Sequence, residues 1–300
     1  MDIEELRTFV EVADAGGITA AAARLGVAKS IVSRRLIRLE AGLGVQLLAR
    51  TTRGASLTEA GATFRDYAAR VCAEIDVAQE TILPAGELRG RLRVAAPLSF
   101  GPTHFAKILA EMANRHPQLH IQTCYSDRFV DLVAEGYDCA IRVGHLPNST
   151  LVARHVGPVN GSLVASPAYI NAHGAPQTLD ELLDHEALMQ GTESWQLMDG
   201  NEAVSVRPQG RFKADNGIAL VAAAVAGLGI GCLPLGLTRP HLASGALVVI
   251  MPQHSTKPAG VYVVRPPGQH PARKIRVLTE MLTDYFRLFP DFDDNVLVGR

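Results

Sequence analysis

Lys29, Ser30, Ser33, Arg34 and Arg38 share one face of a predicted helix running from Lys29 to Glu40. Cations and hydroxyls at that spacing suit the phosphates and base edges of a DNA major groove. Between Lys29 and Arg53 the only acid is Glu40, set against Lys29, Arg34, Arg35, Arg38, Arg50 and Arg53. An ordinary helical hairpin with a solvated charged face is the competing reading of those charges.

The residues before that helix favour the DNA reading. Thr19 is positioned to cap an alanine-rich run, Ala20 to Leu25, and is counted with the DNA-facing residues. Gly26-Val27-Ala28 makes a tight turn, so Ile18 to Glu40 forms a helix-turn-helix. Val32, Leu36 and Leu39 give the second helix an inward apolar face. Ile3, Leu6, Phe9, Val10 and Ala13 predict an opening amphipathic helix that ends at Gly16-Gly17. Gly42 and Gly44 are expected to break the second helix. Leu47 to Arg50 and Ala55 to Leu57 then read as short strands around a wing bearing Arg50, Thr51, Thr52 and Arg53. Such a wing can touch sugar-phosphate or the neighbouring minor groove, and a plain solvated turn is its alternative.

From Thr58 to Ile82 there is no proline, and Phe64, Tyr67, Val71, Ile75 and Ile82 recur at helical spacing with Ala78 between. One apolar seam on a long helix predicts pairing with a second copy, and two linked heads fit a dyad-symmetric DNA site. Pro84-Ala85-Gly86 ends the helix and opens a linker to Gly90.

Beyond Arg91, strands and helices alternate: strands at 92–96, 119–125 and 138–143, with helices at 102–116 and 128–135. A second unit starts near Gly161, with strands at 163–165, 210–214 and 229–233 and helices at 179–183 and 216–226. A strand at 261–265 and a helix at 272–289 close the chain. The expectation is an open α/β fold with parallel strands, whose ligands sit beyond the strands' carboxyl ends. The candidate pocket loops are Pro97-Leu98-Ser99-Phe100, Ser126-Asp127-Arg128-Phe129, Arg142-Val143-Gly144 and Asp215-Asn216-Gly217. Helix N-termini with Arg128 and Arg142 nearby favour a small carboxylate. Asp127 and Asp215 leave room for an amine-bearing ligand, and an Arg142–Asp127 ion pair could simply support the cleft. Trp195 either walls the cleft or packs half-buried.

The chain has 300 residues, a formal net charge of −1, 47% hydrophobic and 20% charged residues, so basic character is local to the head. Cys72, Cys124, Cys139 and Cys232 form no CxxC, and Pro117 separates His116 from His120, so no metal site or cofactor is expected. Ser99 lacks a G-x-S-x-G elbow, which argues against an enzyme. MDIEELRTF is unlike a signal peptide and no apolar run reaches membrane-spanning length, so a cytoplasmic location away from membranes is expected.

Four passages resemble the LysR-type transcriptional regulator family: LRTFVEVADAGGITAAAARLGVAKSIVSRRLIRLEAGLGVQLLARTTRGASLTEAG, LRVAAPLSFG, SDRFVDLVAEGYDCAIRVG and AVAGLGIGCLP. The resemblance spans essentially the whole chain. It implies an all-α winged helix-turn-helix domain (1–59), a dimerising linker helix and hinge (60–89), and an α/β effector domain (90–300). The effector domain is expected to resemble type 2 periplasmic binding proteins, with subdomain I at 90–160 plus 266–300 and subdomain II at 161–265. It further implies a homotetramer, a dimer of dimers, that bends promoter DNA and answers a small effector, with RNA polymerase a candidate partner. By position, Lys29, Ser30, Ile31, Ser33 and Arg34 would meet DNA, and Arg50, Thr51, Thr52 and Arg53 would form the wing contacts. Leu98, Ser99, Phe100, Asp127, Arg128, Phe129, Arg142, Val143, Gly144, Trp195, Asn216 and Gly217 are the expected effector residues. Phe100 would make that pocket partly apolar. Lys29 stands where the family commonly has glutamine, which changes the base preference expected there.

Overall fold

The structure, a computed structural model, describes residues 1–51, 54–82, 87–191, 194–267 and 271–292. Two compact units emerge, one comprising mainly residues 1–87 and the other mainly residues 88–132, 137–267 and 274 onward.

In the first unit, α1 (Ile3–Ala15) opens with a reciprocal capping box: Asp2 accepts from the Glu5 N–H at 2.8 Å, and Glu5 accepts from the Asp2 N–H at 3.0 Å. The next helix, α2 (Ile18–Leu25), begins earlier than expected. Gly17 is its N-cap, so Thr19 lies exposed in the first turn and caps nothing. The third, α3 (Lys29–Leu43), runs through Gly42 and stops at Gly44, whose φ of +69° is left-handed. Gly42 costs the helix only about 1 kcal/mol, whereas the left-handed turn at Gly44 ends it.

β1 (Leu48–Thr51) and β2 (Gly54–Leu57) pair antiparallel, from Leu48 opposite Leu57 to Thr51 opposite Gly54. The Glu40 carboxylate accepts from the N–H groups of Leu47 and Leu48 at 2.7 and 3.0 Å, which consumes the lone acid of the basic segment as a backbone anchor. Helix α4 (Glu59–Ile82) follows. The expected single seam divides here: Phe64 packs on Phe9, ring centroids 5.6 Å apart, and Ala68 is buried, while Tyr67 and Val71 remain exposed. The Pro84-Ala85-Gly86 linker lies outside the described residues.

The second unit holds two five-stranded sheets. It begins with β3 (Gly90–Ala96), a π-helical turn (Gly101–Phe105), α5 (Ala106–Arg115), β4 (Leu119–Tyr125), β5 (Cys139–Gly144) and β6 (Val152–Val159). A second lobe follows with β7 (Gly161–Ala165), α6 (Pro167–His173), α7 (Leu179–Leu182), β8 (Ala187–Gln190), the hairpin β9 (Trp195–Asp199) and β10 (Glu202–Val206), and β11 (Phe212–Ala214). That lobe continues through α8 (Gly217–Val225), β12 (Ile230–Pro234), α9 (Leu235–Ala243) and β13 (Val248–Ile250). β14 (Ala259–Arg265) and α10 (Arg273–Leu288) end the fold, with a short 3-10 turn at Pro290–Phe292.

Three expectations need correction. The sheets, ordered β4-β3-β5-β14-β6 and β11-β8-β12-β7-β13, are mixed rather than parallel, because β14 runs antiparallel to β5 and β6, and β7 antiparallel to β12 and β13. β14 belongs to the first sheet, so the chain returns from the second lobe before Ala259 rather than at residue 266. The helix expected at 128–135 does not form: residues 128–131 are irregular and a turn spans 132–136, with Val130 and Leu132 buried and Asp131 exposed between them.

Candidate DNA interface and effector cleft

In the head, Lys29, Ser30, Ile31 and Arg34 are exposed on the first turns of α3, and Ser33 is half-buried beside them. No side chain caps the helix at Ala28, which suits its N-terminal N–H groups to a phosphate. Arg38 has a second engagement. Its Nε lies 3.3 Å from Glu5 Oε1, a carboxylate with 5% side-chain exposure, so it braces α3 against α1 even though its own side chain is exposed. Arg35 does the same, 3.1 Å from Glu4 and donating to Thr8 Oγ1 at 3.2 Å. The sequence offered no sign of this, because Glu5 and Arg38 are remote along the chain. In the wing, the backbones of Arg50 and Thr51 lie in β1, opposite Ala55 and Gly54. Thr52 and Arg53 lie outside the described residues.

In the second unit, β3 runs parallel to both β4 and β5, which puts the carboxyl ends of all three strands on one edge. Ser99, Asp127 and the Arg142–Gly144 segment therefore come together as the strand order predicts. From the other lobe, Asn216 caps α8: its Oδ1 accepts from the N–H groups of Ile218 and Ala219 at 2.8 and 3.3 Å. That orientation turns its Nδ2 outward, where it donates to Asp127 Oδ2 at 2.7 Å. Ser99 Oγ donates to the same oxygen at 3.2 Å and accepts from the Gly217 N–H at 3.1 Å, while the Ser99 N–H reaches Asp127 Oδ1 at 3.4 Å. Ser99 is 7% exposed, Gly217 is buried and Asp127 is half-buried. The two lobes thus meet through two hydrogen bonds, from Asn216 Nδ2 to the Asp127 carboxylate and from the Gly217 N–H to Ser99 Oγ.

The remaining predicted residues divide. Arg142 donates to the Arg128 carbonyl at 3.2 Å and lies 4.9 Å from the centre of the Phe129 ring, which is 70% exposed. Leu98 is exposed, and Val143 and Gly144 are half-buried where β5 pairs with β14. Phe100 does not line the cleft as expected: it is 3% exposed, with its ring stacked on Phe292 from the C-terminal turn. Trp195 does not wall it either, being buried in the second lobe's core with Leu163, Tyr169 and Leu197. A large apolar ring gains more from that core than from a wet cleft. Gln190, missed from the sequence, reaches the Asp215 carbonyl at 3.5 Å from the end of β8.

Burial pushes the Cys72 thiol up to about 11 and that of Cys232 up to about 12, and raises that of Cys139 as well. Cys124 is exposed. Among the described residues no group of three or more His, Cys, Asp or Glu could hold a metal ion, and no helix is long and apolar enough to cross a membrane.

Residues 3–62 match the model for the bacterial regulatory helix-turn-helix protein, lysR family, and residues 85–287 match the LysR substrate binding domain. The transcriptional regulator PtxR of Pseudomonas aeruginosa is 32% identical over 293 residues, covering 95% of this chain and 93% of its own length. CrgA of Neisseria meningitidis serogroup C is 33% identical over 259 residues, 84% of this chain and 86% of CrgA. Among solved structures, full-length AphB, a virulence activator of Vibrio cholerae, aligns with a TM-score of 0.58 at 28% identity over 95% of this chain and 99% of AphB. The CrgA structure aligns with the same TM-score at 31% identity over the same shares of the two chains. With both domain models matched in order and the helix-turn-helix and two-lobed α/β unit in place, the chain belongs to the LysR family of DNA-binding transcriptional regulators.

Proposed function

We propose that this regulator reads a dyad-symmetric promoter site through Lys29, Ser30, Ile31, Ser33 and Arg34, with the wing residues Arg50, Thr51, Thr52 and Arg53 beside them. It is controlled by a small carboxylate bound between the lobes of its effector domain. The observation that carries the effector class is the donor set from Ser99 and Asn216, which converges on a single carboxylate at the N-terminus of α8. Arg128 and Arg142 add positive charge at the rim. Closure of the cleft shifts the population of a dimer of dimers in the cytoplasm, changing the spacing of its heads, the DNA bend and the contact with RNA polymerase. Ser99 serves binding rather than catalysis, because its lone pair takes the Gly217 N–H and its proton faces Asp127.

The test is a genome-wide pull-down of native DNA fragments with the purified protein at two salt concentrations. Enrichment of a few dyad-symmetric promoter sites that survive the higher salt supports specific reading, since phosphate contacts alone are salt-labile and sequence-blind. Diffuse binding lost at higher salt would overturn it. Small carboxylates chosen from the genes beside those sites should then alter the footprint or the bend.

A further inference from the structure

We infer that Asp127 is a built-in ligand: its carboxylate occupies the anion position of the effector cleft, and an external acid acts by displacing it. The inference rests on the reading of that cleft as the effector site.

Three features set this carboxylate apart from a surface ion-pair partner. Its donors come from both lobes, Ser99 from the loop after β3 and Asn216 from the cap of α8. Oδ2 receives both the Ser99 hydroxyl and the Asn216 amide, while among the described residues Oδ1 receives only the long bond from the Ser99 N–H, so the site is built around one oxygen. The geometry of Asn216 is determined rather than adaptable: its oxygen is committed to the α8 N–H groups, leaving only N–H to offer Asp127. Hydroxyl, amide and helix terminus together make a site for a carboxylate, and the chain supplies that carboxylate itself.

A site already holding its anion repels a second one, so a free acid must compete with a group tethered at high effective concentration. The wild-type protein should therefore ignore formate and acetate, which bring no contact besides the carboxylate to offset that competition. Removing the tethered carboxylate should convert the cleft into a receptor for them.

The experiment is chemical rescue of full-length Asp127→Ala. In about 100 mM formate or acetate its melting temperature should rise by about 2–4 °C over equal ionic strength of sodium chloride, with no rise in acetamide and none for the wild type. Adding Ser99→Ala should remove most of the rescue. Should Asp127→Ala be insoluble in chloride, recovery of soluble protein in formate buffer is the same readout, and Asp127→Asn, which keeps the cleft filled, should be soluble but unresponsive. A pure brace between lobes would be lost on mutation and not restored by a free acid, so equal behaviour in formate, acetamide and chloride would overturn the inference. Rescue with an unchanged operator footprint would leave the built-in ligand standing and sink the effector reading instead.

Discussion

The ring of Phe292 stacks on that of Phe100, with centroids 4.4 Å apart and planes 17° from parallel. Phe292 also meets His104 at 4.7 Å and Phe286 at 4.9 Å, and a Cβ on Gly236 of α9 would lie 2.9 Å from its ring. The C-terminal turn thus acts as a plug that packs on Phe100 and His104 of one lobe and on Gly236 of the other. The plug is stable enough to hold Phe292 at φ +62°, a conformation L-residues adopt at a cost of roughly 1–2 kcal/mol.

Phe292→Ala should consequently lower stability by about 3–5 kcal/mol, the range for emptying a buried aromatic site. Urea unfolding checks this. A loss within about 0.5 kcal/mol would show that the turn contributes little to the fold.

Arg34 and Arg38 should separate in function. Arg34→Ala should weaken operator binding by at least about 1 kcal/mol with stability unchanged. Arg38→Ala exposes the Glu5 carboxylate and should lower stability by up to about 1 kcal/mol. Fluorescence anisotropy on operator DNA, paired with thermal melts, distinguishes them, and identical profiles for the two variants would refute the assignment.

Gly217→Ala should loosen the junction between the lobes. The added Cβ would stand 2.7 Å from Leu237 Cδ1 and 3.3 Å from Ser99 Oγ, displacing the hydroxyl that accepts from the Gly217 N–H. Overpacking of this kind costs about 1–3 kcal/mol. A calorimetric melt of the variant overlaying the wild type would show that Leu237 yields freely.

Stability should fall at alkaline pH. Below about pH 8.5 folded and unfolded chains both hold the thiol protons, so the contribution of the buried cysteines is fully present. Above it the unfolded chain releases protons that Cys232 keeps to about 12 and Cys72 to about 11, so the unfolded state binds fewer protons and stability declines. Urea midpoints measured from pH 8 to pH 11 should drop, and less steeply in Cys232→Ala. In the native protein at pH 8 a thiol reagent should modify Cys124 first.

The head was legible from the sequence because its determinants are local. Periodicity in α1 and α3, the turn at Gly26 and the charge imbalance around Glu40 depend on neighbours within a few residues, and only the cap at Gly17 and the passage through Gly42 were misplaced. The meeting of the loops after β3, β4 and β5 at one sheet edge was legible too, since these three strands run parallel and end at Ala96, Tyr125 and Gly144.

What only the tertiary structure decided are the pairings between distant segments. β14 joins the first sheet through partners a hundred residues or more away, Phe100 packs on Phe292, and Trp195 enters the second lobe's core. Arg38 acquires Glu5, and Asp127 acquires Ser99 and Asn216. By itself the sequence determined which side chains could bind DNA or an acid, because charge and hydrogen-bonding capacity belong to the residue. Which of them the fold keeps for itself depends on geometry that exists only once remote backbone is brought together.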